Sequence, residues 1–195
     1  MKLDTVFSGV GGQGVVVLSD IYCEAAMLDG YDVAKAEIHG MAQRGGSIVA
    51  YARIGDKVES PLIETGKADI IVGFEILETA RALPMLKKGG DVIVNMKYIP
   101  PSGSASSVKP KKAEELMQIL RSKAEVHEID GAGIAQKLGN LLVVNTILLG
   151  ALSALPEIPV KEKSFQQAIA GKVKEKYINL NLKAFQLGRE NVLLS

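Results

Sequence analysis

The sequence predicts a three-layer α/β fold: a mostly parallel sheet with helices on both faces and a helical extension at the C-terminal end. Three observations carry that expectation. Up to about residue 130, short apolar runs alternate with longer helix-like stretches, the pattern of a sheet built from strand–helix units. Two runs, Asp69-Ile70-Ile71-Val72-Gly73-Phe74 and Asp91-Val92-Ile93-Val94-Asn95-Met96, are almost unbroken in apolar residues, as in strands covered on both faces. Beyond residue 130 the strand signal stops and only helix-like stretches remain, divided by Pro156 and Pro159.

Taken in order, residues 3–8 read as the first strand and 14–29 as a helix. Val16, Ile21, Ala25 and Leu28 are among its apolar positions and Gly30 is its stop. Residues 32–37 form a short second strand, 38–46 a loop, and 47–54 a third strand ended by the Gly55-Asp56 turn. Residues 68–74 are the fourth strand. A helix over 75–86 is stopped by Lys87-Lys88-Gly89-Gly90, and 91–96 is the fifth strand. Pro, Ser and Gly mark 100–110 as an exposed loop. A helix over 111–122 and a last strand over 125–129 follow, and Asp130-Gly131-Ala132-Gly133 is a turn able to cap the next helix. Two or three helices finish the chain, roughly over 134–155 and 161–194. No internal repeat is visible. Residues 1–195 are expected to be one domain, with a sheet core over about 1–130 and a helical part over about 131–195.

Composition excludes several classes of function. The net charge of +1 supplies no field to steer the chain to nucleic acid or a membrane surface, and 5% aromatics without Trp offer few stacking platforms. Cys23 is the single cysteine, so no intrachain disulfide or Fe–S site is expected, which suits the cytoplasm. His39 and His127 are too few and too far apart in sequence for a zinc site. Met1-Lys2-Leu3-Asp4 leads straight into a strand pattern, unlike a signal peptide. The longest apolar stretch, 141–155, carries Asn145, Thr146 and Ser153 and falls short of a bilayer span.

The candidate chemistry lies in two glycine-rich segments. Gly9-Val10-Gly11-Gly12-Gln13-Gly14 follows the first strand and opens the first helix, and Gly9, Gly11 and Gly14 satisfy G-x-G-x-x-G. A strand ending in such a loop presents backbone N–H groups and a positive helix end to an anion, which makes the sheet Rossmann-like. Alone the motif is weak, because glycine also serves tight strand-to-helix packing. A nicotinamide reading would place Glu37 on a ribose, but the chain lacks room for a second mononucleotide half and a substrate domain. The second segment, His39-Gly40-Met41-Ala42-Gln43-Arg44-Gly45-Gly46-Ser47, adds a guanidinium able to clamp phosphate or carboxylate. The candidate binding residues are therefore Gly9, Gly11, Gly12, Gln13, Gly14, Gln43, Arg44, Gly45 and Gly46. His39 is a weak candidate base, and Cys23 reads as a buried inert thiol. The chain has no G-x-x-x-x-G-K-[ST] loop, no G-x-S-x-G elbow and no H-E-x-x-H. No catalytic residue is assigned.

The two glycine segments together, with Asn181-Leu182-Lys183-Ala184-Phe185-Gln186-Leu187-Gly188-Arg189 near the C-terminal end, resemble the gamma-type domain of 2-oxoacid:ferredoxin oxidoreductases. Within that family the resemblance is closest to the beta subunits of indolepyruvate:ferredoxin oxidoreductases, and it spans essentially the whole chain. It implies a subunit without activity alone, in a complex that oxidatively decarboxylates aryl 2-oxoacids to acyl-CoA and reduces ferredoxin. The large alpha subunit would carry thiamine diphosphate, Mg2+ and Fe–S clusters. The glycine loops would face that partner, and one or both would help hold CoA; pure subunit contact is an equally open reading. A stand-alone NAD-dependent oxidoreductase and a nucleotide- or CoA-binding module are the alternatives.

Overall fold

Side-chain alternation along the first strand sets up the two cores. In β1 (Lys2–Val10), Leu3 and Phe7 point into one apolar layer and Val6 into the other, as the period of two requires. The computed structural model describes residues 1–40, 46–100 and 111–194. Among them follow α1 (Val15–Leu28), β2 (Asp32–His39), β3 (Ser47–Gly55), β4 (Ala68–Gly73), α2 (Ile76–Ala82), β5 (Leu86–Asn95), α3 (Ala113–Arg121), β6 (Glu125–Ile129), α4 (Gly131–Lys137), α5 (Val144–Ser153), α6 (Glu162–Lys172) and α7 (Ile178–Leu193).

The sheet order is β2-β3-β1-β4-β5-β6. β1, β4, β5 and β6 run parallel to one another, whereas β3 runs antiparallel to both β1 and β2. The sheet is thus mixed, with its longer part parallel. The antiparallel part arises because the link from β2 to β3 is too short for a crossover helix. Helices α1, α5, α6 and α7 bury Leu18, Ile147, Phe165 and Phe185 against one face, and α2 and α3 bury Ile76, Met117 and Leu120 against the other. An aromatic ladder crosses the larger layer from Phe7 through Tyr22 and Phe165 to Phe185, with ring centroids 5.6, 6.3 and 5.8 Å apart. The Tyr22 hydroxyl, fully buried, is satisfied by Thr5 Oγ1 at 3.2 Å.

Three expectations are corrected. The Lys87-Lys88-Gly89-Gly90 segment does not stop a helix but belongs to β5. α2 ends at Ala82, where Pro84 turns the chain into a 3-10 turn. The glycines then serve an irregularity of the β4–β5 ladder: Gly89 has φ 73°, and a Cβ on Gly90 would lie 2.7 Å from the Asp69 carbonyl oxygen. β2 runs on to His39, beyond the expected end at residue 37. The C-terminal part holds four α-helices, not two or three. The stretch expected to run over 134–155 is broken at Gly139 (φ 74°), which closes α4 by donating to the Gln136 carbonyl while Asn140 donates to Ala135. That pairing is a Schellman stop. Gly30 ends α1 in the same way, as expected.

Candidate functional site

Helix α1 leaves β1 on one face of the sheet and α2 leaves β4 on the other, so the chain divides between neighbouring parallel strands. Ligands of open α/β sheets bind at such a point, beyond the carboxyl ends of the strands. A crevice of about 460 Å³ lies there. Gly12, Gln13 and Gly14 form one wall, Phe74 and Asn95-Met96-Lys97 the floor and far side, and Leu141, Leu142, Val144 and Asn145 the lip. A cleft of about 530 Å³ also runs between α1 and α6, but it lies outside the sheet, and Lys172, its one lysine, is paired with Asp20.

Among the polar residues that line the crevice, three groups bear on an anion. Gly14 caps α1 in the left-handed region (φ 87°, ψ 21°) with no side-chain cap, so behind this wall of the crevice the first N–H groups of the helix have no partner within it. The Lys97 ammonium has no carboxylate partner among the described residues. The Asn145 carboxamide turns its oxygen to the Thr146 N–H at 2.9 Å and its nitrogen toward Gly14, where a Cβ would sit 3.2 Å away. Facing these donors, Leu141 and Leu142 are 64% and 84% exposed and Met96 41%. Donors on one side and solvent-exposed apolar side chains on the other suit an anion that carries a long apolar segment.

The candidate glycines divide by role. Gly12, at φ 94° with open space where a Cβ would stand, and Gly14 line the crevice. Gly9 is a packing residue: a Cβ there would come within 2.8 Å of Phe74 Cβ and Val15 Cγ2. Gln13 turns back to accept from the Val10 N–H at 2.7 Å and so braces its own loop. Gly11 donates to the Gly46 carbonyl at 2.9 Å, which brings the foot of the second segment against the first. Gln43, Arg44 and Gly45 lie outside the described residues. Ser47 anchors the same foot to α2 through a 2.6 Å hydrogen bond to the buried Glu78.

Reasoning from residues alone missed the far wall. Asn95 donates to the Phe74 carbonyl at 3.0 Å and accepts from the Gly131 N–H at 3.2 Å, tying together the ends of β4, β5 and β6. Glu75 caps α2 by accepting from the Leu77 and Glu78 N–H groups, and it also accepts from Ile99 at 3.3 Å. Burial pushes its carboxyl up from the usual range, against the pull of those backbone N–H groups. A polar residue closing each apolar strand was the available signal for both.

His39 and Glu37 are not part of the crevice. They pair with each other at 3.0 Å on the edge strand β2, and β3 separates that strand from β1. A ribose-binding acid needs the strand next to the glycine loop, so the geometry disfavours the nicotinamide reading. Cys23 is buried, and burial pushes its thiol up to about 12. Among the described residues no group of three or more His, Cys, Asp or Glu is placed to hold a metal ion, and no helix is long and apolar enough to cross a membrane.

Fold and crevice define an α/β domain with an open crevice, walled by loops, at the switch point of its sheet. The chain belongs to the pyruvate ferredoxin/flavodoxin oxidoreductase family, whose model matches residues 4–191. It is 40% identical over 190 residues to the indolepyruvate oxidoreductase subunit IorB of Archaeoglobus fulgidus, covering 96% of this chain and 94% of that one. The corresponding subunit of Thermococcus kodakarensis is 37% identical with the same coverage. The crystal structure of the keto/oxoacid ferredoxin oxidoreductase gamma subunit from Geobacter sulfurreducens superposes with a TM-score of 0.77 at 25% identity, covering 99% of each chain. The tail signature now has a physical role. Asn181 accepts from Thr146 Oγ1 at 2.7 Å, and Arg189 donates to the Ser153 carbonyl at 2.8 Å, so the signature locks α7 onto α5, whose first turn carries Asn145.

Proposed function

We propose that this chain is the small subunit of a cytoplasmic indolepyruvate:ferredoxin oxidoreductase, acting as one domain over residues 1–195 and inactive alone. The observation that carries the reading is the crevice, in a chain whose relatives are indolepyruvate oxidoreductase subunits along nearly their whole length. Its donors suit the phosphates of CoA, and Met96, Leu141 and Leu142 suit the less polar arm. Gln43, Arg44, Gly45 and Gly46 are the CoA-binding candidates of the second segment in this reading, and Gly46 accepts from the Gly11 N–H of the first. Thiamine diphosphate, Mg2+ and Fe–S clusters belong to the large subunit in this reading. The chain does not fit a cluster, since its one cysteine is buried and disfavours the thiolate. The large subunit also carries the 2-oxoacid pocket and the contact with ferredoxin.

The test is co-expression with the candidate large subunit and measurement of CoA-dependent ferredoxin reduction by indolepyruvate. Turnover should need both chains. Lys97→Met should raise the KM for CoA about 10- to 100-fold with kcat little changed, as expected for losing a charged hydrogen bond worth about 1.5–3 kcal/mol. An assembled complex whose KM for CoA is unmoved by Lys97→Met would remove CoA from the crevice. A chain that forms no such complex and binds nicotinamide alone would overturn the whole reading.

A further inference from the structure

The outer edge of the sheet is unusually regular. β2 pairs with β3 without interruption from Asp32↔Gly55 to His39↔Ile48. It contains neither proline nor a bulge, the usual devices that blunt an edge. No strand lies on its outer side among the described residues. The Gly40 N–H donates inward to the Ser47 carbonyl at 2.8 Å. Antiparallel ladders alternate, so Ala34, Ala36 and Ile38 bond inward and Val33, Lys35, Glu37 and His39 turn their backbone groups outward. The side chains alternate too. Lys35 and Glu37 lie on the α1 face, where Lys35 also meets Asp20. Ala34, Ala36 and Ile38 share the opposite face with Val49 and Tyr51. There α2 and α3 pack over β1, β4, β5 and β6, and Ile38 is left 54% exposed.

We propose that this edge pairs with the same edge of a second copy of the chain, antiparallel about a two-fold axis at Ala36. Charge selects both the occupant and the register. With Ala36 on the axis, Lys35 stands opposite Glu37 of the second copy and Glu37 opposite its Lys35, and the outward backbone groups of all four have no partner among the described residues. Ala34 then stands opposite Ile38, and the exposed apolar strip becomes continuous across the axis. The smallest register shift that keeps outward groups opposed is two residues. It places Lys35 on Lys35 or Glu37 on Glu37, which repel. An alternating-charge edge thus matches itself in one central register and resists its neighbours, and the two copies form one continuous sheet.

Cysteine cross-linking of the full-length chain tests the register, and the buried Cys23 supplies a quiet background. Across the axis Ala36 faces itself in a non-hydrogen-bonded pair, about 4.5 Å between Cα atoms, within disulfide range. Ala36→Cys should link under mild oxidation. Ile38→Cys alone should not, its mate being on the order of 14 Å away, but Ile38→Cys mixed with Ala34→Cys should. Sedimentation of the unmodified chain should give a mass twice 20.8 kDa. Glu37→Lys should raise the dimer dissociation constant about tenfold or more by setting lysine against Lys35. The Ala36→Cys link should form equally when the chain is first reduced, assembled with the large subunit and then oxidised. A monomeric mass at ~100 µM without the Ala36→Cys link, linking of Ile38→Cys as fast as Ala36→Cys, or failure of the Ala36→Cys link to form in the assembled complex would each overturn the proposal.

Discussion

Replacing glycine by alanine at two helical positions should move stability in opposite directions, because intrinsic propensity and packing are separable there. Gly188 lies in α7 where it crosses α5. A Cβ at Gly188 would sit 1.9 Å from the Ile147 carbonyl oxygen and 3.1 Å from the Ala151 nitrogen. Ordinary contact begins near 3.4 Å, so the helices must separate by about 1.5 Å. The obstacle is backbone, which no rotamer change removes. A Cβ at Gly150 would likewise sit 2.0 Å from the Phe185 carbonyl oxygen in the same crossing, so neither helix can give way toward the other. Overpacking of this kind costs about 1–3 kcal/mol or somewhat more, against a gain of about 1 kcal/mol from helix propensity. Gly188→Ala should therefore destabilise by about 2 kcal/mol, lowering Tm by about 4–8 °C for a chain of this size. Gly171 lies in α6, and a Cβ added there would meet nothing within 4 Å. At that position only the propensity term acts, and Gly171→Ala should stabilise by about 0.4–1 kcal/mol. Thermal melts followed by circular dichroism decide the matter. A Gly188→Ala protein at least as stable as the parent would refute the packing argument, and a clear loss at Gly171 would refute the assignment of that surface as open.

Two further outcomes follow from buried polar groups. Asp29 ends α1 yet caps α6, accepting from the Lys161 N–H at 2.6 Å and the Ser164 hydroxyl at 2.8 Å. Burial opposes its charge, but these donors and the Lys161 ammonium outweigh burial and hold the carboxyl below its ordinary value of 3.8. A depressed carboxyl stabilises the fold above its unfolded pKa and loses that contribution as pH falls through the folded value. Asp29→Asn should thus cost about 1 kcal/mol near pH 7, and urea titrations should show the gap to the parent closing below pH 3.8; a gap constant with pH would show that charge plays no part. Cys23 should give almost no reaction with a thiol reagent at pH 8 in the native protein and react fully in denaturant, since its thiol is pushed up to about 12; rapid native reaction would show that α1 opens.

Much of the fold was legible because its signals are local. The apolar runs of β4 and β5 announce strands covered on both faces, Gly30 stops α1, and Asp130 accepts from the Gly133 N–H at 2.9 Å to open α4 as its position suggested. Errors came where a glycine has more than one use. Gly89 and Gly90 looked like a helix stop, but they shape a bent strand. Gly139 was passed over inside an apolar stretch that it divides. Half of the crevice was legible as well: Gly12, Gln13 and Gly14 stand at a strand-to-helix junction that any reading of the chain singles out. Lys97, Asn145, Leu141 and Leu142 carry no motif. They enter the same crevice only because β5 lies two strands from β1 and α5 returns over the strand ends.

The sequence by itself determined the α/β class, the glycine loop between β1 and α1, the single cysteine, and the family signatures. Each rests on residues near one another along the chain, where backbone freedom, periodicity and side-chain chemistry act directly. The tertiary structure alone decided that β3 separates β2 from β1 and so sets Glu37 one strand too far sideways from the glycine loop. It also decided that Gly9 packs while Gly12 and Gly14 line space, and that the tail signature clamps α7 to α5. These outcomes depend on which distant segments come within a few ångströms, and that is set by strand order and helix crossing, which no local pattern encodes.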